Sequence, residues 1–306
     1  MYKEHFKLRE TPFSLTPDTS YYFNNAGHQQ ALNVLLIALR SGEGFVKITG
    51  EVGTGKTLLC RKLINALEDT FVSAYLPNPL LAPRELLQEV ARELGMESSA
   101  TATGRQLLHL LTAKLLLKSS QGERMVICID ESQAMPERSL EALRLLSNLE
   151  TEKNKLLQIV LFGQPELNER LAQPSLRQLR QRITFSYHLQ PLGREELAAY
   201  VNHRLLIAGH QGGNLFRPQA LQEIYRASHG IPRLVNILCH KTLMVVYGQG
   251  GGVVEKRQVQ AAVRDTEGAE IARRGGGVRW SRWLLGLLGA TPVVMFLLYL
   301  VREVSP

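Results

Sequence analysis

"GEVGTGKT", residues 50–57, decides the fold. The run fits G-x-x-x-x-G-K-[ST], and its surroundings supply what that pattern requires. The apolar stretch "FVKIT" (45–49) ends immediately before it as a buried strand, and helical spacing runs on from Lys56 to about Leu67. Gly50, Gly53 and Gly55 permit backbone conformations that wrap a phosphate chain with N–H groups pointing inward. The positive end of the following helix adds to that field. The candidate nucleotide contacts are therefore Gly50, Glu51, Val52, Gly53, Thr54, Gly55, Lys56, Thr57 and the adjoining Leu58. Lys56 can reach the β- and γ-phosphates, and Thr57 offers a hydroxyl to Mg²⁺.

A second motif completes the first. Within "MVICIDES" (125–132), "MVICID" (125–130) is a continuous apolar strand of the kind buried on both faces of a parallel sheet, ending in Asp130 with Glu131 next. Asp130 at a strand end beside the phosphate loop would hold Mg²⁺ through water, and Glu131 would polarise the attacking water. A small-molecule kinase needs no such glutamate. A guanine nucleotide reader needs N-K-x-D, which "NKLL" (154–157) is not. ATP hydrolysis coupled to movement fits best.

Further polar residues stand where hydrolysis would be sensed. "IVLFGQPEL" (159–167) ends a third buried strand in Gly163 and Gln164, a sensor position for the γ-phosphate or the lytic water, or else a plain turn. "PSLRQLRQRITF" (174–185) carries Arg177, Arg180 and Arg182 ahead of the last strand. Such arginines form either a solvated helix face or, in a ring ATPase, fingers reaching the neighbour's nucleotide, with Arg182 favoured over Arg180. "HGIPRLVN" (229–236) opens a helix whose Arg233 reaches back to the phosphates, the alternative being a surface salt bridge.

Strands at 45–49, 71–76, 125–130, 157–162 and 183–189 alternate with helical stretches, among them 84–94, 105–118 and 137–149, so the fold class is α/β with a parallel sheet. From Gly193 the pattern is helical only, at roughly 194–208, 218–228, 231–247 and 255–266. The expected organisation is a nucleotide-binding core over 1–190, a helical lid over 191–266, a basic Gly-rich linker over 267–282 ("RRGGGVR" at 273–279) and an apolar helix over 283–301. The three cysteines, Cys60, Cys128 and Cys239, are widely spaced with no C-x-x-C pair, which suggests neither zinc nor a disulfide framework. The N-terminus "MYKEHFKLRETPF" has no long apolar core and is not a secretory signal. A net charge of +8 is compatible with nucleotide, anionic lipid or nucleic acid.

These residues together resemble the AAA+ ATPases, and more narrowly their secretion-protein-A (ExeA-like) branch. "PFSLTPDTSYYF", "GEVGTGKT", "IDESQAMPERSLEALRLLSNLETEKNKLLQIVLFGQPEL", "LRQLRQRI" and "HGIPRLVNILCHKTLM" match that branch's running pattern over roughly residues 1–265. Stretches such as "YLPNPLLAPREL" and "AGHQGGNLF" look like its members in mannose-sensitive haemagglutinin (type IV) pilus biogenesis. The resemblance implies the AAA+ sheet order, a helical lid, ATP and Mg²⁺ as ligands, a ring or dimer of identical chains, and pilus or secretion assembly proteins as partners. Members usually continue past a membrane span into a periplasmic peptidoglycan-binding domain. Here only residues 302–306 follow, and no cell-wall binding is expected of this chain.

The segment "WLLGLLGATPVVMFLLYLV" (283–301) carries no charge. As a helix at 1.5 Å per residue it would be about 28 Å long, close to the roughly 30 Å of a bilayer's hydrocarbon core. Trp280, Trp283 and Tyr299 mark its interfaces, and Arg273, Arg274, Arg279 and Arg282 precede it while Arg302 alone follows. The expectation is a single-pass bacterial inner-membrane protein whose ATPase lies in the cytoplasm and helps assemble a type IV (MSHA-like) pilus or related secretion machinery. The rival is a DNA-associated AAA+ ATPase of the transposition-helper type. No helix-turn-helix or zinc module supports it, and no specific nucleic acid is expected as a partner. A third reading is a scaffold that binds nucleotide without hydrolysing it.

Overall fold

A computed structural model describes residues 2–96, 102–151 and 155–266. The chain opens with α1 (Tyr2–His5), crosses an extended stretch with a single 3-10 turn at Thr19–Tyr21, and enters α2 (Ala26–Arg40). Then follow β1 (Phe45–Gly50), α3 (Lys56–Ala66), β2 (Phe71–Leu76), α4 (Pro83–Glu93), α5 (Gly104–Ser120), β3 (Arg124–Ile129), α6 (Glu137–Leu146) and β4 (Leu157–Gly163). The short α7 (Glu166–Leu171) and α8 (Arg177–Arg182) lead into β5 (Ile183–Leu189). A bundle of α9 (Arg194–Ile207), α10 (Pro218–Ser228), α11 (Pro232–Gly248) and α12 (Lys256–Arg264) ends the described chain. The expected spans 267–282 and 283–301 lie outside the described residues. Among the described residues no helix is long and apolar enough to cross a membrane.

The strands run in the order β2-β3-β4-β1-β5, every pair parallel. Alternate side chains of each strand face opposite sides, so an apolar run must be covered twice. Met125, Ile127 and Ile129 join Leu86, Leu107 and Leu140 from α4, α5 and α6 on one face. Val126 and Cys128 join Leu35, Leu39, Leu59 and Cys60 from α2 and α3 on the other. All of β4 is buried, which explains why "LQIVLFG" shows no alternation.

The bundle has its own core, and the chain's first residues belong to it. Tyr2, Phe6, Leu8 and Phe13 share a buried cluster with Leu197, Ile224, Leu238 and Val259. These four large apolar side chains of a turn-rich stretch bury their surface in the bundle rather than against the sheet. Arg204 of α9 fixes this attachment: its Nε donates to the Pro12 carbonyl at 2.6 Å, and its guanidinium lies 4.7 Å from the Tyr21 ring centroid. Between bundle and sheet, the Leu192 N–H donates to the Gly230 carbonyl at 2.9 Å. Gly230 adopts φ +75, and a Cβ there would come within 2.0 Å of the Leu192 carbonyl oxygen, so only glycine fits.

α2 begins at a cap that reaches the phosphate-loop region. The Asn25 Oδ1 accepts the His28 N–H at 2.9 Å and lies 2.6 Å from His28 Nδ1. The buried His28 ring fills the space beside Gly55, where a Cβ would be 2.9 Å from its Nε2. Burial lowers the His28 pKa from 6.5 to about 4, so the folded protein holds it neutral while the unfolded chain protonates near 6.5. The stability that this difference governs is intact above 6.5 and is lost as pH falls toward 4. The loss amounts to about 3 kcal/mol at most. The denaturant midpoint measured against pH should fall through that window, and His28→Gln should flatten the fall. An equally steep fall in the variant would contradict this role for His28.

Candidate nucleotide site

The sheet order builds the site. β1 is flanked by β4 and β5, while the chain leaving β1 crosses to β2 at the far edge. Ligands of open parallel sheets bind beyond the carboxyl ends of the strands, where such connections diverge. Three of the motifs meet there: the loop after β1, Asp130 and Glu131 after β3, and Gln164 after β4, the strand between them.

Gly53 (φ 83) and Gly55 (φ 98) take left-handed backbone conformations, and α3 begins directly at Lys56. Lys56 is 5% exposed, and its Nζ donates to the carbonyls of Gly50 (2.8 Å) and Glu51 (3.0 Å). Burial pulls its pKa below the usual lysine range. A desolvated ammonium held by neutral carbonyls is suited to an incoming anion. Thr57 donates its hydroxyl to Asp130 Oδ2 at 2.5 Å, and the Glu131 N–H donates to Asp130 Oδ1 at 2.9 Å. Burial pushes the Asp130 carboxyl above its ordinary value, against the opposing pull of those two donors. Two oxygen ligands at this spacing, one of them a buried carboxylate, suit a hard divalent cation that keeps waters and takes its remaining ligands from phosphate. The described residues hold no cluster of three His, Cys, Asp or Glu that would bind a metal alone.

Glu131 is one of the non-glycine residues with positive φ, at 49°. Its Oε2 accepts hydrogen bonds from Gln164 Nε2 at 2.9 Å and from Gln133 Nε2 at 2.5 Å. The sequence reading missed Gln133. The available signal was a third polar residue in "DESQ", which the tight turn at Ser132–Ala134 folds back over Glu131.

The bundle closes one side. The Arg233 N–H donates to the Gly53 carbonyl at 3.2 Å, and a Cβ on Gly53 would meet the Arg233 Cβ at 2.5 Å. Gly53 is thus required both for its φ and for this approach. Loop residues 52–58, Glu131, Arg233 and the stretches 14–18 and 21–23 line a cavity of about 230 Å³. Gly50 and Glu51 lie on the loop but outside that lining, and Asp130 and Gln164, at the ends of β3 and β4, are outside it as well. Tyr22, another residue the sequence reading passed over, lines the cavity with a buried hydroxyl that has no hydrogen-bond partner among the described residues. The cleft therefore offers an anion seat, a threonine hydroxyl backed by a buried carboxylate, and a compartment of mixed polarity with an unsatisfied polar group, which together suit a nucleoside triphosphate.

Arg180 and Arg182 do not join this site. They end α8 at the entrance to β5, where Ile183 pairs with Phe45, the first residue of β1, so the length of a strand separates them from Gly50. Arg180 is exposed, and Arg182 donates from one terminal nitrogen to Ser147 Oγ at 2.8 Å.

Residues 39–171 match the family described as "AAA domain". The chain is 41% identical over 290 residues to the general secretion pathway protein A of Aeromonas hydrophila, covering 95% of this chain and 52% of that protein. The chain thus spans about half the length of the curated relative it matches. Among solved structures, Cdc6p of Pyrobaculum aerophilum superposes with a TM-score of 0.65 at 18% identity, over 83% of this chain and 70% of that one. The ORC2 protein of Aeropyrum pernix, in ADPNP and ADP complexes, gives 0.59 at 18% identity over 82% and 72%. At that identity the likeness establishes the fold alone. The AAA domain match over residues 39–171 and the 41% identity to the secretion-pathway protein A support an ExeA-like AAA+ ATPase.

Proposed function

We propose that this ATPase binds Mg·ATP in the cleft between the 50–57 loop and the α9–α12 bundle, and that hydrolysis there drives assembly of a secretion machine or type IV pilus. The observation that carries this reading is the 2.5 Å contact of Thr57 with Asp130, which joins the phosphate loop to the acidic strand end. The loop amides and Lys56 bind the β- and γ-phosphates. Thr57 and Asp130 would hold Mg²⁺, which supplies neutralisation of the charge that develops on the phosphate oxygens. Glu131 takes a proton from the water that attacks the γ-phosphorus, with Gln164 beside it, and ADP leaves in line. Arg233 lies one backbone hydrogen bond from Gly53, so loss of the γ-phosphate is felt by the bundle, which acts as a lid.

The exposed end of α8 supports a ring or dimer in which Arg182, with Arg180, enters the neighbour's site. The uncharged segment 283–301 and the arginines before it support a tether to the bacterial inner membrane with the ATPase on the cytoplasmic side. The secretion-pathway name of the relative supports secretion or pilus assembly proteins as the recipients of the work.

Lys56→Ala should abolish nucleotide binding in a fluorescent-nucleotide titration. Glu131→Gln should bind ATP normally but turn over about 10²–10⁴-fold more slowly. Unchanged turnover in both variants would reject the site. Arg182→Ala chains should lose most activity, since a finger contributes about 10³–10⁵ in rate. Mixing them with Glu131→Gln chains should restore phosphate release, and a mixture as inactive as its components would exclude action in trans. The full chain should sediment with membranes while a version ending at Arg274 stays in the supernatant. Equal partitioning of the two would remove the tether.

A further inference from the structure

Glu131 is not held by the sheet alone. Among the described residues, two side-chain amides converge on the same oxygen, Oε2: Gln133 Nε2 at 2.5 Å and Gln164 Nε2 at 2.9 Å. Gln133 is itself fixed at three points. Its Oε1 accepts the backbone N–H of Gln164 at 3.0 Å, its carbonyl accepts an N–H from Arg170 of α7, and it lies in a turn closed by Ala134 N–H donating to Glu131 O at 2.8 Å. The Ser132 hydroxyl, donating to the Ile129 carbonyl at 3.0 Å, anchors that turn to the end of β3. The chain pays for this arrangement with a left-handed glutamate at φ 49, a conformation that L side chains adopt rarely and that clusters at functional sites. A glutamate carboxylate on three rotatable bonds would otherwise sample many orientations, and a misplacement of about 1 Å in a reacting group can cost about a hundredfold in rate.

We propose that Gln133 is a positioning residue for ATP hydrolysis: together with Gln164 it occupies Glu131 Oε2 and leaves Oε1 to accept the proton of the attacking water. This rests on the reading of Glu131 as the general base. In the step, the water oxygen bonds to the γ-phosphorus as its proton passes to Oε1. The bond from the γ-phosphorus to the bridging oxygen breaks, and its electron pair leaves with ADP. Gln133 contributes no atom to the reaction and reaches no phosphate. It sets which oxygen faces the water. Because Gln133 also bridges the tips of β3 and β4 and is gripped by α7, it ties the aim of Glu131 to the segment that leads on to Arg180 and Arg182.

The test is steady-state ATPase kinetics of the full chain with Gln133→Leu, which keeps size and removes the amide, beside Gln164→Leu, the double variant and Glu131→Gln. Nucleotide affinity and thermal midpoint are measured for each. The expected result for Gln133→Leu is a kcat lower by about tenfold to a hundredfold, with KM and nucleotide affinity within about threefold of the parent. The double variant should lose less than the product of the two single losses, since both amides act on one oxygen. An unchanged kcat in Gln133→Leu while Glu131→Gln is inactive would overturn the positioning role and leave the general base standing. Loss of nucleotide affinity and thermal midpoint in parallel with kcat would overturn it in favour of a structural role. Full activity in Glu131→Gln would overturn both this inference and the base on which it rests.

Discussion

A 2.5 Å hydrogen bond from the Thr57 hydroxyl to Asp130 Oδ2 joins segments 73 residues apart, and the rest of the site is arranged around it. It forms because β1 and β3 are separated by a single strand, so the first turn of α3 faces the end of β3 across the tip of β4. Burial makes both partners of the cleft uncomfortable: the Asp130 carboxyl is pushed up and the Lys56 ammonium is pulled down. Desolvated charges of this kind are costly to keep and are relieved by a ligand that brings the complementary charges. A phosphate chain with its cation would do so at both positions at once.

The bundle is joined to the sheet on two sides of the cleft. On one side Leu192 and Gly230 meet backbone to backbone, in a space that excludes any Cβ. On the other, the chain's first residues are built into the bundle core, and Arg204 grips the Pro12 and Ser14 carbonyls before the chain runs along the cavity to Asn25. Arg204 thus links the bundle to the stretch that leads to Tyr21, Tyr22 and Phe23, as Arg233 links it to Gly53. Geometry of this kind lets the contents of one cleft bias the relative position of two packed bodies.

The fold was legible because buried parallel strands announce themselves. "MVICI" and "LQIVLF" are apolar on both faces, and glycine spacing fixed where β1 ends and α3 begins. α1 and the docking of residues 2–13 on the bundle were not legible, because four spaced aromatic and leucine side chains in a turn-rich stretch do not say which core they enter. At the site, Lys56, Thr57, Asp130 and Glu131 were readable from motif spacing, since each chemistry needs that residue type at that strand end. Gln133, His28 and Tyr22 were not, because their roles come from tertiary neighbours: a carboxylate folded back by a 3-10 turn, a glycine with room for a ring, and a cavity formed by three separate segments. The pairing of β5 with β1 puts Arg180 and Arg182 at the amino ends of these strands, a strand's length from their own loop, where the sequence reading had them serve a neighbour's nucleotide.

The central claim is that the Thr57–Asp130 pair receives the cation accompanying a triphosphate. The most direct measurement is calorimetric: ATP affinity with and without Mg²⁺, in the parent chain and in Asp130→Asn. The account predicts that Mg²⁺ tightens binding in the parent and that Asp130→Asn loses this increment while retaining metal-free binding at the loop. An increment of the same size in both proteins would contradict it.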